Sequence, residues 1–162
     1  MKAFRAALSI AVLGSIIALS GCGGKGGNSE PISDKQFGLL SKTWKVSSVK
    51  LGGADSTAHW TNFTLTISGT KGQESTYAYS CTSRPKLSVW KSSGSWTFGD
   101  CDANTTSDDP STQICRDDGA KITYTIDAAG KNLQLQFTFT GQAYPGRVSN
   151  VSGDWTFNLT AQ

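Results

Sequence analysis

The segment Leu133-Gln134-Leu135-Gln136-Phe137-Thr138-Phe139 alternates large apolar side chains with polar ones. Because successive side chains of a β-strand point to opposite faces, this period of two turns one face toward a core and the other toward water. The same alternation recurs at residues 63–67, 96–98, 122–126 and 155–159. Five segments that each have one polar face indicate antiparallel sheet.

Two further strand patterns, at about 43–50 and 74–81, and glycine-containing turns between the segments bring the expected total to about eight strands. The sequence therefore predicts an all-β fold, an antiparallel up-and-down β-barrel whose closure removes exposed edges. A β-sandwich is the alternative. Ser33 and Gln36, spaced as in a capping box, predict a short N-terminal helix over about 34–41.

The pattern of the N-terminal residues is typical of an export signal. Lys2 and Arg5 precede an apolar run over 6–19, which is shorter than the roughly 20 residues of a membrane-spanning helix. The run ends in Leu19-Ser20-Gly21-Cys22, which resembles a bacterial lipobox. The resemblance implies that the Cys22 thiol carries diacylglycerol, that the chain is cut before it, and that the new amine is acylated, with palmitate as the typical acid.

Three regions follow from this interpretation. Residues 1–21 are a lipoprotein signal peptide, residues 22–32 a flexible, glycine-rich lipidated tether, and residues 33–162 the barrel domain. Gly23 rather than Asp follows the cysteine, and in enteric bacteria this implies sorting to the outer membrane. The expected location is therefore the outer membrane, lipid-anchored on its periplasmic or surface face.

The charge balance argues against a nucleic-acid partner. The formal net charge is +3, and loss of Lys2 and Arg5 with the leader lowers it to +1. No stretch concentrates Lys and Arg, so a phosphate backbone has no basic patch to bind.

Four segments in fixed order resemble the lipocalin-like lipoproteins of Bacteroidetes. They are LLSKTWKVSSVKLGG from residue 39, NFTLTISG from 62, VWKSSGSWTFG from 89 and GRVSNVSGDWTFNLT from 146. The resemblance implies a small up-and-down barrel on a lipid tether, in a family whose members mostly have no assigned activity. True lipocalins begin with G-x-W. Here Lys42-Thr43-Trp44 lacks the glycine, although Trp44 can still close the barrel floor.

The cysteines other than Cys22 suit an oxidising compartment, where disulfides persist. Cys101 follows the strand of Trp96 and Phe98, and Cys115 precedes the next strand. If these strands form a hairpin, both cysteines lie at the mouth of one long loop, and a Cys101–Cys115 disulfide is favoured. Cys81 would then be a free, inward thiol, and pairings of Cys81 with either partner are the rivals.

An aromatic group supplies the candidate ligand-binding residues, because rings offer a large contact area. An eight-stranded barrel is just wide enough to be packed by its own side chains, and packing is the favoured interpretation. Any opening is expected near the rim, beside Trp60, Tyr77 and Trp90. The candidate set is Trp60, Tyr77, Tyr79, Trp90 and Trp96.

No metal, cofactor or catalytic site is predicted. Asp100-Cys101-Asp102-Ala103-Asn104 opens like a calcium loop, but Thr105 and Ser111 stand where that loop requires Gly and Glu. The single histidine, His59, has no Cys or His nearby, and no G-x-S-x-G occurs.

The leading hypothesis is thus a non-enzymatic outer-membrane lipoprotein that binds a small apolar ligand or an envelope protein. The alternative is a structural or interaction module with a fully packed core, and a hydrolase is the third reading. An internal cavity of ligand size would favour the first, and a filled interior would favour the second.

Replacing Cys22 with Ser is expected to release the protein into the soluble fraction, because one thiol carries the anchor. Fractionation of cells expressing the Cys22→Ser variant measures this. A variant that still partitions with membranes and keeps its leader would contradict the lipobox interpretation.

Overall fold

The alternating segments of the sequence form strands of one antiparallel sheet. A computed structural model of the protein describes residues 29–99, 101–102, 109–144 and 151–162. Within these residues the elements are one α-helix, nine strands and one 3-10 helix: α1 (Ile32–Leu40), β1 (Thr43–Leu51), β2 (Ala54–Asp55), η1 (Thr57–Trp60), β3 (Thr64–Thr70), β4 (Gln73–Thr82), β5 (Ser93–Phe98), β6 (Gln113–Arg116), β7 (Lys121–Ile126), β8 (Asn132–Phe139) and β9 (Gly153–Ala161).

The sheet closes on itself through β1. This strand pairs with β9 from Trp44↔Ala161 to Leu51↔Trp155, and its first residues pair with β3. Each remaining strand from β3 to β9 pairs with the next along the chain. The result is a closed, eight-stranded, up-and-down barrel, and β2 is an extra two-residue strand on the end of β1. The predicted barrel is confirmed, and the sandwich alternative is wrong.

Helix α1 covers one end of the barrel. Phe37 stacks on Tyr77 with 4.5 Å between ring centroids, and the indole Nε1 of Trp44 donates to the Leu40 carbonyl at 2.9 Å. Trp44 thereby helps to close this end. The expected capping box is wrong: the helix begins at Ile32 with Pro31 at the N-cap, and no side chain caps it. Ser33 therefore lies within the first turn, where its hydroxyl cannot act as the N-cap.

The barrel interior is filled by aromatic rings. Phe137 and Phe157 stack with 5.9 Å between centroids, and Trp60 meets Phe157 edge to face at 4.7 Å. The nine large rings expected on the inward phase are all at most 9% exposed, and they are Trp44, Phe63, Trp96, Phe98, Tyr124, Phe137, Phe139, Trp155 and Phe157. The prediction of a packed interior is confirmed for the residues described.

Loops cover the opposite end of the barrel. Trp90, from the loop between β4 and β5, enters the interior and is 2% exposed. The Ser88 hydroxyl donates to the Trp90 carbonyl and accepts from the Trp90 amide, and Ser88 also pairs with Tyr144. These bonds fix the loop across the barrel mouth, so a residue outside the strands completes the core.

The cysteines take up two different environments. Cys101 and Cys115 form a disulfide with a Cα–Cα distance of 5.0 Å, which links the start of the β5–β6 connection to β6. Cys81 is free and buried among the core residues. Burial raises the pKa of the Cys81 thiol to about 12. The thiol therefore stays protonated at neutral pH and behaves as a small apolar side chain.

Replacing Phe137 with Ala is expected to lower the free energy of unfolding by about 3–5 kcal/mol, because the ring is buried and its loss leaves a cavity. Urea denaturation measures the loss. Ile32 is 59% exposed, so Ile32→Ala serves as the control and should change stability by no more than about 0.5 kcal/mol. Equal losses in the two variants would show that the interior is not packed as described.

Candidate functional site

Among the described residues, the interior leaves little room for a ligand. An internal cavity there has a volume of about 10 Å³, enough for about one water molecule. Three of the predicted ligand-binding residues border it, namely Tyr79, Trp90 and Trp96. They pack against one another and the wall, as in the Tyr79–Trp90 edge contact at 5.6 Å. Of Trp60, Tyr77 and Trp90, which were expected beside a rim opening, only Trp60 borders one, because Tyr77 lies under α1 and Trp90 points inward.

An arginine lies inside the barrel, and the sequence analysis did not single it out. Arg116 is 2% exposed, and its Cζ lies 4.6 Å from the ring centroid of Trp90 and 5.4 Å from that of Phe137. The signal was present in the alternation of β6, where Ile114 and Arg116 are the buried positions. Its four residues are too few to show a period clearly, and a charge is not expected on a core face.

The charge of Arg116 is neutralised by Asp118 at the barrel mouth. Arg116 Nε donates to one carboxylate oxygen at 2.8 Å and Nη2 to the other at 2.7 Å. Tyr144 Oη donates to Asp118 at 3.0 Å. Burial raises the pKa of Asp118, but the hydrogen bonds and charge of Arg116 and the Tyr144 bond outweigh it and hold the pKa below its usual value.

A second carboxylate extends this polar group outward. Asp117 lies 3.3 Å from Lys91 Nζ and accepts a hydrogen bond from Tyr79 Oη at 3.4 Å. A Cβ at Gly94 would come within 2.7 Å of both Asp117 and Tyr79, so a side chain there would separate them. Through these matched charges the group joins β4, β6 and the mouth loops.

A groove suited to an apolar ligand lies at the rim. It has a volume of about 410 Å³, within the range of about 300–1,000 Å³ typical of ligand sites. Trp60 and Trp155 form its floor with 5.7 Å between ring centroids, and Leu87, 42% exposed, stands at its edge. Of the predicted aromatic residues, Trp60 alone lines this groove, whose full lining is Leu51, Ser56, His59, Trp60, Pro85, Lys86, Leu87, Val151 and Trp155.

This rim groove lies at the end of the barrel opposite α1. Strand β1 starts beside α1 at Thr43 and reaches the groove at Leu51, and these nine residues extend over about 27 Å along the strand. The groove-lining residues come from the end of β1, from η1, from the β4–β5 loop and from the start of β9. Helix α1 and the groove therefore lie at opposite ends of the domain.

The structure describes only part of the calcium-like segment. Asp100 and Asn104 of the calcium-like segment lie outside the described residues. Within the described part of the chain, no three His, Cys, Asp or Glu side chains are grouped so that they could hold a metal ion.

The closed barrel and its helix-covered end define a lipocalin-like β-barrel. Comparisons with protein-family models, curated proteins and solved structures found no match to this chain. Within the described residues, α1 is too short to cross a membrane, and no other helix is long and apolar enough to do so.

Replacing Asp118 with Asn is expected to cost about 3–5 kcal/mol of unfolding free energy, because it leaves the buried Arg116 charge unpaired. The matched control is Asp117→Asn, whose ion pair with Lys91 is partly open to solvent, and its cost should stay below about 1 kcal/mol. Denaturant melts of both variants measure the difference. A small loss for Asp118→Asn would mean that Arg116 does not depend on this carboxylate.

Acid is expected to weaken the same contact. The folded-state pKa of Asp118 lies below the unfolded value of 3.8, so its stabilising contribution is complete well above pH 3.8 and is lost as the pH falls through the lower, folded value. The stability difference between the native protein and Asp118→Asn should therefore be constant near neutral pH and shrink in acid. A difference that does not change between neutral pH and about pH 2 would contradict this assignment.

Proposed function

We propose that this chain is a lipid-anchored lipoprotein of the outer membrane with a non-enzymatic domain that binds a small apolar ligand in the rim groove. The observation that carries the proposal is the groove itself, about 410 Å³ in volume and floored by Trp60 and Trp155. The packed interior excludes a fully enclosed ligand. Binding at the rim would leave part of the ligand in water.

The arrangement of anchor and groove supports this role. A lipid on Cys22 would hold the protein from the α1 end, since the tether runs into Ile32. The groove at the far end would then face away from the anchoring bilayer and meet molecules of the surrounding compartment.

The groove's chemistry supports binding rather than catalysis. It brings Ser56 and His59 together, but none of the residues that line it is an Asp or Glu. A serine hydrolase needs a third group to orient the histidine, and a carboxylate usually fills that role. The hydrolase hypothesis therefore gains nothing from the groove.

A second candidate is an interaction module that uses its packed barrel only as a scaffold. The filled interior favours it, because a module that docks on an envelope protein needs no cavity. In that case, the exposed Leu87 at the mouth would contact a protein surface rather than a small molecule.

Binding of an uncharged dye whose fluorescence depends on its surroundings distinguishes the two candidate functions. Nile red should bind a protein that starts at residue 22 and carries Cys22→Ser. This protein keeps the core residues from Phe37 to Leu159. Replacing Leu87 with Ser should weaken dye binding about tenfold, which corresponds to roughly 1.4 kcal/mol of lost apolar contact. Fluorescence titration measures both affinities.

The control is Ile32→Ser, the same kind of change at the other large apolar side chain exposed among the described residues. It lies at the α1 end and should leave dye affinity unchanged. If the dye fails to bind, or if both variants bind it equally well, the small-ligand proposal fails and the interaction module takes its place.

A further inference from the structure

We propose that the ligand of the rim groove is a single-chain anionic amphiphile, with its apolar tail on the Trp60–Trp155 floor and its anionic head beside Lys86 and His59. This inference rests on the proposed function and adds the chemistry of the ligand. It follows from three features of the groove: an apolar floor, one open side, and a lining whose charge is of one sign.

The charge of the groove lining has a single sign. Lys86 and His59 are its titratable residues, and no carboxylate lies among the nine lining residues. Both side chains are exposed at the groove edge. An ammonium and an imidazole at the edge of an apolar surface favour an anion over a cation or a neutral polar group.

Lys86 remains available to a ligand. Among the described residues it takes part in no salt bridge, whereas Lys71 pairs with Glu30 and Lys91 with Asp117. A lysine that already had a carboxylate partner would gain little from a second anion. The ammonium of Lys86 has no such competitor in the described structure.

Two acids, Asp55 and Asp154, are adjacent in sequence to residues of the groove lining, and both are engaged. The Asp154 carboxylate accepts a hydrogen bond from the Thr138 hydroxyl at 2.6 Å. The Asp55 carboxylate accepts hydrogen bonds from the Thr57 amide at 3.0 Å and from the Thr57 hydroxyl at 2.6 Å. It is also attracted to Lys50. Both carboxylates are therefore engaged outside the groove lining, where Lys86 is the charged residue and His59 adds an imidazole.

The shape of the groove explains why the ligand would be amphiphilic. A floor of buried rings and the exposed edge of Leu87 provide apolar contact for a hydrocarbon chain, with affinity growing by about fourfold, or about 0.8 kcal/mol, for each methylene removed from water. Because the groove is open on one side, a charged head can stay hydrated while the tail is covered. The groove also faces away from the anchored end, so the occupant is a free amphiphile and not the bilayer that holds the protein.

Displacement of Nile red by three molecules with the same ten-carbon tail tests the head-group preference. Decanoate should displace the dye at a concentration about three to ten times lower than decyltrimethylammonium does, as expected for exposed ion pairs, and decanol should fall between them. Raising the salt to about 0.5 M should narrow the difference between the charged competitors, because exposed charges are screened.

Replacing Lys86 with Gln should bring the displacing concentrations of decanoate and decyltrimethylammonium to within about twofold of one another. Lys71→Gln, at the other end of the barrel, is the matched control and should keep the native preference. Equal displacement by the two charged molecules in the native chain, or a preference that survives Lys86→Gln, would overturn the inference. Either result would leave neutral-dye binding, and with it the proposed function, standing.

Discussion

The structure depends on β1 having a neighbour along both of its edges. Its whole length pairs with β9, while β3 covers the first part of its other edge and β2 the last part. A β-bulge between Val46 and Ser48 lies in the β9 pairing, and bulges bend and twist a strand as closure requires. Without this double pairing, β3 and β9 would be edge strands, open to association with other chains.

Closure by eight strands sets the width of the interior, and large rings then fill it. The wall alone does not complete the core. Trp90 enters from a loop, and Arg116 enters from the end of β6 with its charge directed to the mouth. The buried charge requires a partner, and this requirement links the core to Asp118 and Tyr144 on the mouth loops. The packing of the interior and the conformation of the mouth loops therefore depend on each other.

Because the interior is packed, the candidate binding site lies at the surface. At the α1 end, Phe37 and Trp44 close the barrel. At the other end, η1 and the β4–β5 loop border a groove whose floor is the outer edge of the same core, since Trp60 and Trp155 both contact Phe157. The stability of the domain and the shape of its candidate binding site thus rest on shared rings.

The sequence by itself determined the strands, their inward faces and the size of the rings that fill the barrel, because alternation along a strand is a local property. It also predicts an export signal, and that prediction needs no folded context. The tertiary structure alone decided the rest. Barrel closure brings four separate segments to the same end, so one groove is lined by Leu51, Trp60, Leu87 and Trp155. No local sequence pattern predicts that these residues lie close together. Arg116 can lie in the core only because the carboxylate of Asp118, from a loop, lies within hydrogen-bonding distance of it. The four residues of β6 do not predict that contact.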